Sequence, residues 1–277
     1  MKITYNNKFG TVAMSGNGDC SFSICDIDGI HLPGKDRTLI HFHNKDGYDE
    51  THSFYGQRVI TISGDIKSNN YNELKKAIHI FSSPGTLTIS TDYSSYQIWV
   101  NDITFKTQKK NNVYTSYCVQ MTCDIPHFYD CTDTHSGIYS RTPLITKNTF
   151  LPAVFTKRTI GGVVENNGNV ICEPKIIIHC LSTTPEEPIT IINKTTDKQI
   201  TINYSATSGE IITIDIPKRL ITSNINGDIT SYLDAESYLC DMTLINGENE
   251  MDVITYSDNK NMEMFIIHRN LYTGVII

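Results

Sequence analysis

The 277-residue chain carries 23 Lys and Arg against 30 Asp and Glu, a formal net charge of −7, with 39% hydrophobic and 9% aromatic residues. That acidic balance excludes nucleic acid as a general partner, because neutralising phosphates needs clustered Lys and Arg, and no apolar run approaches the roughly 20 residues that cross a bilayer. The length exceeds the roughly 100 to 200 residues of one ordinary domain, so two domains are expected.

Taken in chain order, Met1-Lys2 is followed by Ile3-Thr4-Tyr5-Asn6-Asn7-Lys8, which offers no apolar signal-peptide core, and a soluble chain kept inside a cell is expected. The eight cysteines then read as reduced, small buried groups. Cys20 and Cys25, like Cys118 and Cys123, lie an odd distance apart, which on a strand sends the two thiols to opposite faces. The close cysteine spacing of zinc sites is missing. Gly16-Asn17-Gly18 lacks the third glycine and following helix of a phosphate cradle and reads as a turn. Asp26-Ile27-Asp28-Gly29 starts like a calcium loop, but its glycine arrives two positions early and Arg37 stands where the closing Glu belongs, so an Asp-Gly turn is expected. Thr38 to His43 and Val59 to Ile66 read as strands, with a second turn at Asp46-Gly47. His41 and His43 fall on one side of the first of these, and His52 with Asp49 or Glu50 could join them across a hairpin. Two ligands do not make a metal site, and histidines on a sheet face or interface are the plainer reading.

A helix is predicted over Asn70 to Ser82, with Tyr71, Leu74, Ile78 and Phe81 as its apolar stripe. Asn70 with Glu73 resembles a capping box, and Ser83-Pro84-Gly85 ends the helix. Leu87 to Thr91, Tyr96 to Lys106 and Val113 to Ile125 follow as strands of an antiparallel meander. In the last of them Val113, Thr115, Tyr117, Val119, Met121, Cys123 and Ile125 share one face, and Pro126 stops the ladder. The short basic run Lys106 to Lys110 leads into Lys109-Lys110-Asn111-Asn112, a solvated hairpin tip. Trp99 with Tyr93 and Tyr96 could stack on a sugar, but Ile98 and Val100 beside Trp99 leave its facing undecided, and core or interface is the plainer role. Asp130 to Thr159, with Pro143 and Pro152, loses periodicity and reads as the passage between a first domain of residues 1–150 and a second of 151–277.

From Ile160 onward turns recur at Asn167-Gly168, Pro185 to Pro188, Thr196-Asp197, Ser208-Gly209, Asn226-Gly227 and Asn246-Gly247. Strands about every ten residues predict a sandwich. No segment repeats, so a solenoid or propeller is disfavoured. Glu186-Glu187 sits in a Pro-bounded loop rather than a carboxylate pocket, and no Gly-x-Ser-x-Gly elbow or Gly-Lys-Ser/Thr loop occurs. The expectation is a mainly β chain with one helix, with no residue assigned to catalysis, metal or cofactor, and with the partner a protein.

The succession Asn167-Gly168-Asn169 before a Pro-interrupted strand, Ser208-Gly209-Glu210 ahead of Ile214-Asp215, and Asn246-Gly247-Glu248-Asn249 resembles the C-terminal half of the distal tail (Dit) proteins of long-tailed phages infecting Gram-positive bacteria. Gly56-Gln57-Arg58-Val59-Ile60-Thr61-Ile62-Ser63-Gly64 leading into a helix, then strands closing at Tyr117-Cys118-Val119-Gln120-Met121-Thr122-Cys123-Asp124-Ile125-Pro126, is similar to that family's ring-forming domain. The resemblance spans nearly the whole chain and lies in the order of its turns and strands rather than in one motif. It implies an N-terminal sandwich-like ring domain and a C-terminal galectin-like antiparallel β-sandwich. It further implies a hexameric ring at the virion tail tip, assembled in the host cytoplasm. That ring would join the tail tube and tape-measure proteins to the tail-associated hub protein and to a receptor-binding protein, and it performs no chemistry; its interface residues stay open.

The sequence departs from sugar-binding galectins, because His179-Cys180-Leu181 begins no His-x-Asn-x-Arg strand and the single Trp, Trp99, lies outside the second domain. The alternatives from other classes are a carbohydrate-binding protein acting in host cell-wall recognition and, more weakly, a polysaccharide-degrading enzyme.

Overall fold

The computed structural model describes all residues except 18–19, 44–45, 68–70, 112, 144–155, 182, 184–187, 256–261 and 277. The readings made for Gly18, Asn70, Asn112, Pro152, Glu186 and Glu187 lie outside the described residues. The chain forms two compact units, one of Met1–Cys131 with Tyr272–Ile277 and one of Thr132–Leu271. The first limit read from the sequence, residue 150, falls among residues not described.

In the first unit the strands are β1 (Lys2–Asn7), β2 (Gly10–Ser15), β3 (Phe22–Asp28), β4 (Lys35–Ile40), β5 (Asp49–Tyr55) and β6 (Arg58–Lys67). The helix α1 (Tyr71–Phe81) follows, then β7 (Gly85–Ser90), β8 (Ser95–Val100), β9 (Asp102–Lys109), β10 (Tyr114–Cys123) and β11 (Phe128–Asp130). All but β4 and β5 join one sheet in the order β11-β8-β7-β1-β2-β3-β6-β10-β9. The link between its halves is thin, since β2 and β3 run parallel and pair only at Met14/Phe22 and Ser15/Ser23. Inward side chains of both halves, among them Ile3, Tyr5, Leu87, Ile60, Ile62 and Val119, share one core with Ala77, Ile80 and Phe81 of the helix. The sheet therefore doubles over itself as a two-layered, sandwich-like body, each fully buried aliphatic side chain contributing about 1.5–3 kcal/mol.

Three expectations need correction here. The helix lies where its periodicity placed it, but its buried residues are Ala77, Ile80 and Phe81, while Tyr71 and Ile78 are exposed. The expected stripe took Ile78 where the helix buries Ala77 and Ile80. The segment Tyr96 to Lys106 is not one strand of a meander. It breaks at Asn101, so that β8 pairs with β7 and β9 pairs with β10 in the other half. Asn101 holds the crossing by donating its amide to the Thr122 carbonyl at 2.8 Å and accepting from the Asp124 amide at 3.0 Å. In β10 the alternation holds through Tyr117, Val119, Met121 and Cys123, all buried, but Val113 and Ile125 beyond its ends are exposed. Gly64 of β6 is required by close approach, because a Cβ there would run into the Ser23 carbonyl oxygen of β3.

The second unit contains β12 (Thr134–Pro143), β13 (Thr156–Ile160), β14 (Gly162–Asn166), β15 (Lys175–Cys180), β16 (Ile189–Asn193) and β17 (Lys198–Ile202). It continues through β18 (Ile211–Asp215), β19 (Leu220–Ser223), β20 (Gly227–Asp228), β21 (Gly247–Thr255) and β22 (Met262–His268). A last short strand, β23 (Leu271–Tyr272), lies at the β11 edge of the first sheet. A seven-stranded sheet, β13-β12-β22-β15-β18-β19-β20, and a four-stranded sheet, β14-β21-β16-β17, make up this unit. Their inward residues, such as Ile176, Ile178, Met264 and Ile266 from one and Ile189, Ile191, Met251 and Val253 from the other, form a single core. This is the antiparallel sandwich expected from the turn spacing.

Candidate interaction surfaces

Among the described residues β4 and β5 pair only with each other and stand as a two-stranded arm outside the main sheet. Every residue of β4 is exposed. Around the arm, Leu32, Leu39, Ile40, Phe42, Tyr48 and Phe54 are all exposed, Leu32 by 75% and Phe54 by 61%. The register pairs Asp36 with Phe54 and Ile40 with Asp49, which puts Ile40 and Phe54 on one face of the ribbon. A lone two-stranded ribbon is marginal in water, and so many exposed apolar side chains on one ribbon mark an interaction surface.

The base of the arm is firmly held. The Gly56 amide donates to the Gly34 carbonyl, Lys35 lies over the Tyr55 ring, and Tyr55 meets His127 edge-on at 5.6 Å. Arg58, the first residue of β6, is only 2% exposed. Its guanidinium donates to the carbonyls of Gly29, His31, Pro126 and Thr273 at 2.5 to 2.9 Å and stacks over Phe128 at 4.7 Å. Burial pushes its pKa down to about 10. One cation thus clips the loop before the arm, the loop after β10 and the returning C-terminal segment together.

In the second unit the turn motifs that carry the resemblance prove to be polar clips. Asn166, Asn193 and Asn249 are fully buried. Asn166 donates to the carbonyls of Val170 and Leu244 and accepts from the Gly168 amide, each at 3.0 Å. Asn249 accepts from the Ile245 amide at 3.0 Å and donates to the Ile245 carbonyl at 2.8 Å, and it accepts from Asn193, which donates also to the Thr243 carbonyl. Glycine is needed at Gly168 because a Cβ would strike the Leu271 backbone. Glu210 is also fully buried. Burial opposes its ionisation, yet Ser223, Tyr204 and Thr207 all donate to its carboxylate and hold its pKa at about 2. Beside this network, Pro188, Asn203, Tyr204, Ser205 and Tyr232 line a cavity of about 420 Å³.

The sites weighed from the sequence do not assemble as drawn. His41 and His43 fall beyond the end of β4 rather than on a strand, and His41 meets the Tyr48 ring at 5.4 Å. No group of three or more His, Cys, Asp or Glu is placed to hold a metal among the described residues. Cys25 sits at the β3 bulge opposite Gly64 and Ser63. Burial raises the thiol pKa of Cys123 and Cys172 to about 12 and of Cys180 to about 11, as inert core thiols require. Trp99 points outward, 47% exposed, while Tyr96 packs on Tyr272 at 5.1 Å and Tyr93 is almost fully exposed, so the three rings make no common platform. The arm is the surface that sequence reading missed. Its signal, apolar residues in a polar stretch around Asp46-Gly47, was spent on a strand assignment for Thr38 to His43.

Residues 167–272 match the family described as the siphovirus-type tail component, C-terminal domain, of SPP1 Dit type. Residues 167–272 are thus similar to a Dit-type tail-component domain. The Dit protein of phage SPP1, described as a paradigm of the hub adsorption apparatus in phages infecting Gram-positive bacteria, has a similar fold. That similarity has a TM-score of 0.68 at 10% identity and covers 90% of this chain and 92% of that one. Structures of the phage P2 baseplate in its activated conformation, with calcium and with strontium, each align at a TM-score of 0.44 and 12% identity over 96% of this chain and 97% of theirs. No curated protein matches the sequence. Both units thus follow the Dit fold, the galectin-like sandwich being the part that the family match itself covers.

Proposed function

We propose that this chain is a baseplate hub protein that closes into a six-membered ring at the distal end of a phage tail and connects the tube to the host-adsorption apparatus. The observation that carries this reading is the likeness to SPP1 Dit across nearly the full length of both chains, joined to the family match over residues 167–272. In this reading residues 1–150 supply the ring-forming domain and residues 151–277 the sandwich that docks neighbouring tail proteins. The partners are the tube, tape-measure and tail-associated hub proteins, with a receptor-binding protein attached outside. The protein acts at the virion tail tip after assembly in the host cytoplasm, and it works through contact faces rather than catalysis. Its arm and outer edge strands supply the unlike patches that a head-to-tail ring joins. Light scattering and negative-stain microscopy of the purified chain test this: six-fold rings support the hub, and a strict monomer removes it.

A second reading, carbohydrate binding, draws on the cavity beside Tyr204 and Tyr232, where an exposed ring lies next to the Asn203 amide. Glycan-array binding abolished by Tyr232→Ala in a monomeric protein would favour it over the hub.

A further inference from the structure

The first unit presents one sheet face of unusual composition. Ile3, Tyr5, Val12, Leu87, Ile89 and Ile98 point into the core, so the residues that alternate with them point outward. The register lines these outward residues up in rows across β8, β7, β1 and β2. The first row is Trp99, Thr86, Asn6 and Thr11. Gln97, Thr88, Thr4 and Ala13 make the second, and Ser95, Ser90, Lys2 and Ser15 the third. Apart from Trp99, Ala13 and Lys2, every position carries a hydroxyl or an amide, and Lys2 is the single charge on this face of a chain that is 19% charged. Thr11 Oγ1 donates to Asn6 Oδ1 at 2.9 Å and Gln97 Nε2 to Thr88 Oγ1 at 3.4 Å, which orients these groups while each keeps further donors or acceptors. Trp99 stands at one corner, 47% exposed. At the other end of the face, about 13 Å along the strands, Lys2, Ser15 and Ser90 join Asn17, Thr91 and Asp92 around a pocket of about 280 Å³.

We infer that this face binds a neutral polysaccharide, whose chain runs from the Trp99 corner to the pocket at Lys2. The composition turns away the commoner partners. A nucleic acid needs clustered Lys and Arg, and one lysine does not supply them. The core of a protein contact favours aromatic, Met and Arg side chains and is poor in Ser, whereas here one ring stands among hydroxyls. A sugar fits both features at once. Its C–H face stacks on the exposed indole, and its hydroxyls exchange hydrogen bonds with the Thr, Asn and Gln groups of the rows, each of which both donates and accepts. The site lies in the first unit, is separate from the cavity lined by Tyr204 and Tyr232, and does not depend on ring formation.

Trp99 is the chain's single tryptophan, so its emission reports this face alone. The full chain is titrated with maltohexaose, cellohexaose, laminarihexaose and chitohexaose, with heat and tryptophan emission recorded together. At least one of these should bind saturably and shift the emission. Trp99→Ala, followed by heat, should weaken that binding about tenfold or more. Thr86→Val with Thr88→Val keeps the shape and strand preference of both residues and removes their hydroxyls, and it should weaken binding about tenfold with the emission still readable. Circular dichroism checks that each variant is folded. Failure of all four glycans to bind, binding that leaves the emission unchanged, or a Thr86→Val, Thr88→Val protein that binds like the wild type overturns the assignment. Emission that shifts on self-assembly and with no glycan makes the face a protein contact and overturns it too. The hub reading is tested separately by the ring count and stands or falls without this result.

Discussion

Arg58 shows how one residue can tie distant segments together without an anionic partner. Its fork geometry matches four carbonyls at once, which a lysine's compact ammonium cannot do. Arg58→Ala strands those acceptors in a buried place, and unfolding titration should find a loss of about 3 kcal/mol, with Arg58→Lys recovering only part of it. Glu210 makes a pH-dependent contribution of definite sign. Its folded pKa of about 2 lies below the ordinary value of 4.5, so its stabilisation is complete above that ordinary value and fades as pH falls towards 2. Denaturant midpoints measured from neutral pH down to acid should therefore fall less steeply in Glu210→Gln than in the wild type. At neutral pH the same variant should be less stable by about 2 kcal/mol, since the amide keeps one acceptor oxygen and sets an NH2 donor against either the Thr207 donors or the Tyr204 and Ser223 hydroxyls.

At the scale of elements, period-two alternation was readable wherever a strand has one wet face. β10 announces Tyr117, Val119, Met121 and Cys123, and all four are buried. The helix was readable too, but its facing was not, because Ile78 and Ile80 both fit a helical apolar spacing and only packing decides that Ala77 and Ile80 go inward. The break at Asn101 was not legible, because the segment alternates smoothly and only tertiary pairing sends β8 and β9 to different halves. The arm was hidden for the opposite reason, since its apolar residues follow no buried face. Gly64 belongs to this scale as well. Gly64→Ala pushes β6 off β3 at the Ser23 carbonyl and should destabilise the first unit by about 2 kcal/mol or more, seen as a lower melting temperature. Ile40→Asp with Phe54→Asp should change thermal stability little, within about 0.5 kcal/mol per exposed site, while weakening self-association.

For the whole molecule, the first unit is a doubled sheet with a two-stranded arm and the second a sandwich whose loops are locked by buried asparagines, and the hub reading assigns their fixed faces to contact. The asparagine-glycine turns were legible in the sequence as punctuation, and their role as clips emerged only from the bonds of Asn166 and Asn249 to loops remote in sequence. The arm's separation from the main sheet was not legible, because an open strand edge is a property of pairing and no residue type marks it. The most direct test of the hub reading is electron microscopy of the purified full-length chain with class averaging. The account predicts closed six-fold rings with a central opening, and a population of single, unassociated particles at every concentration would contradict it.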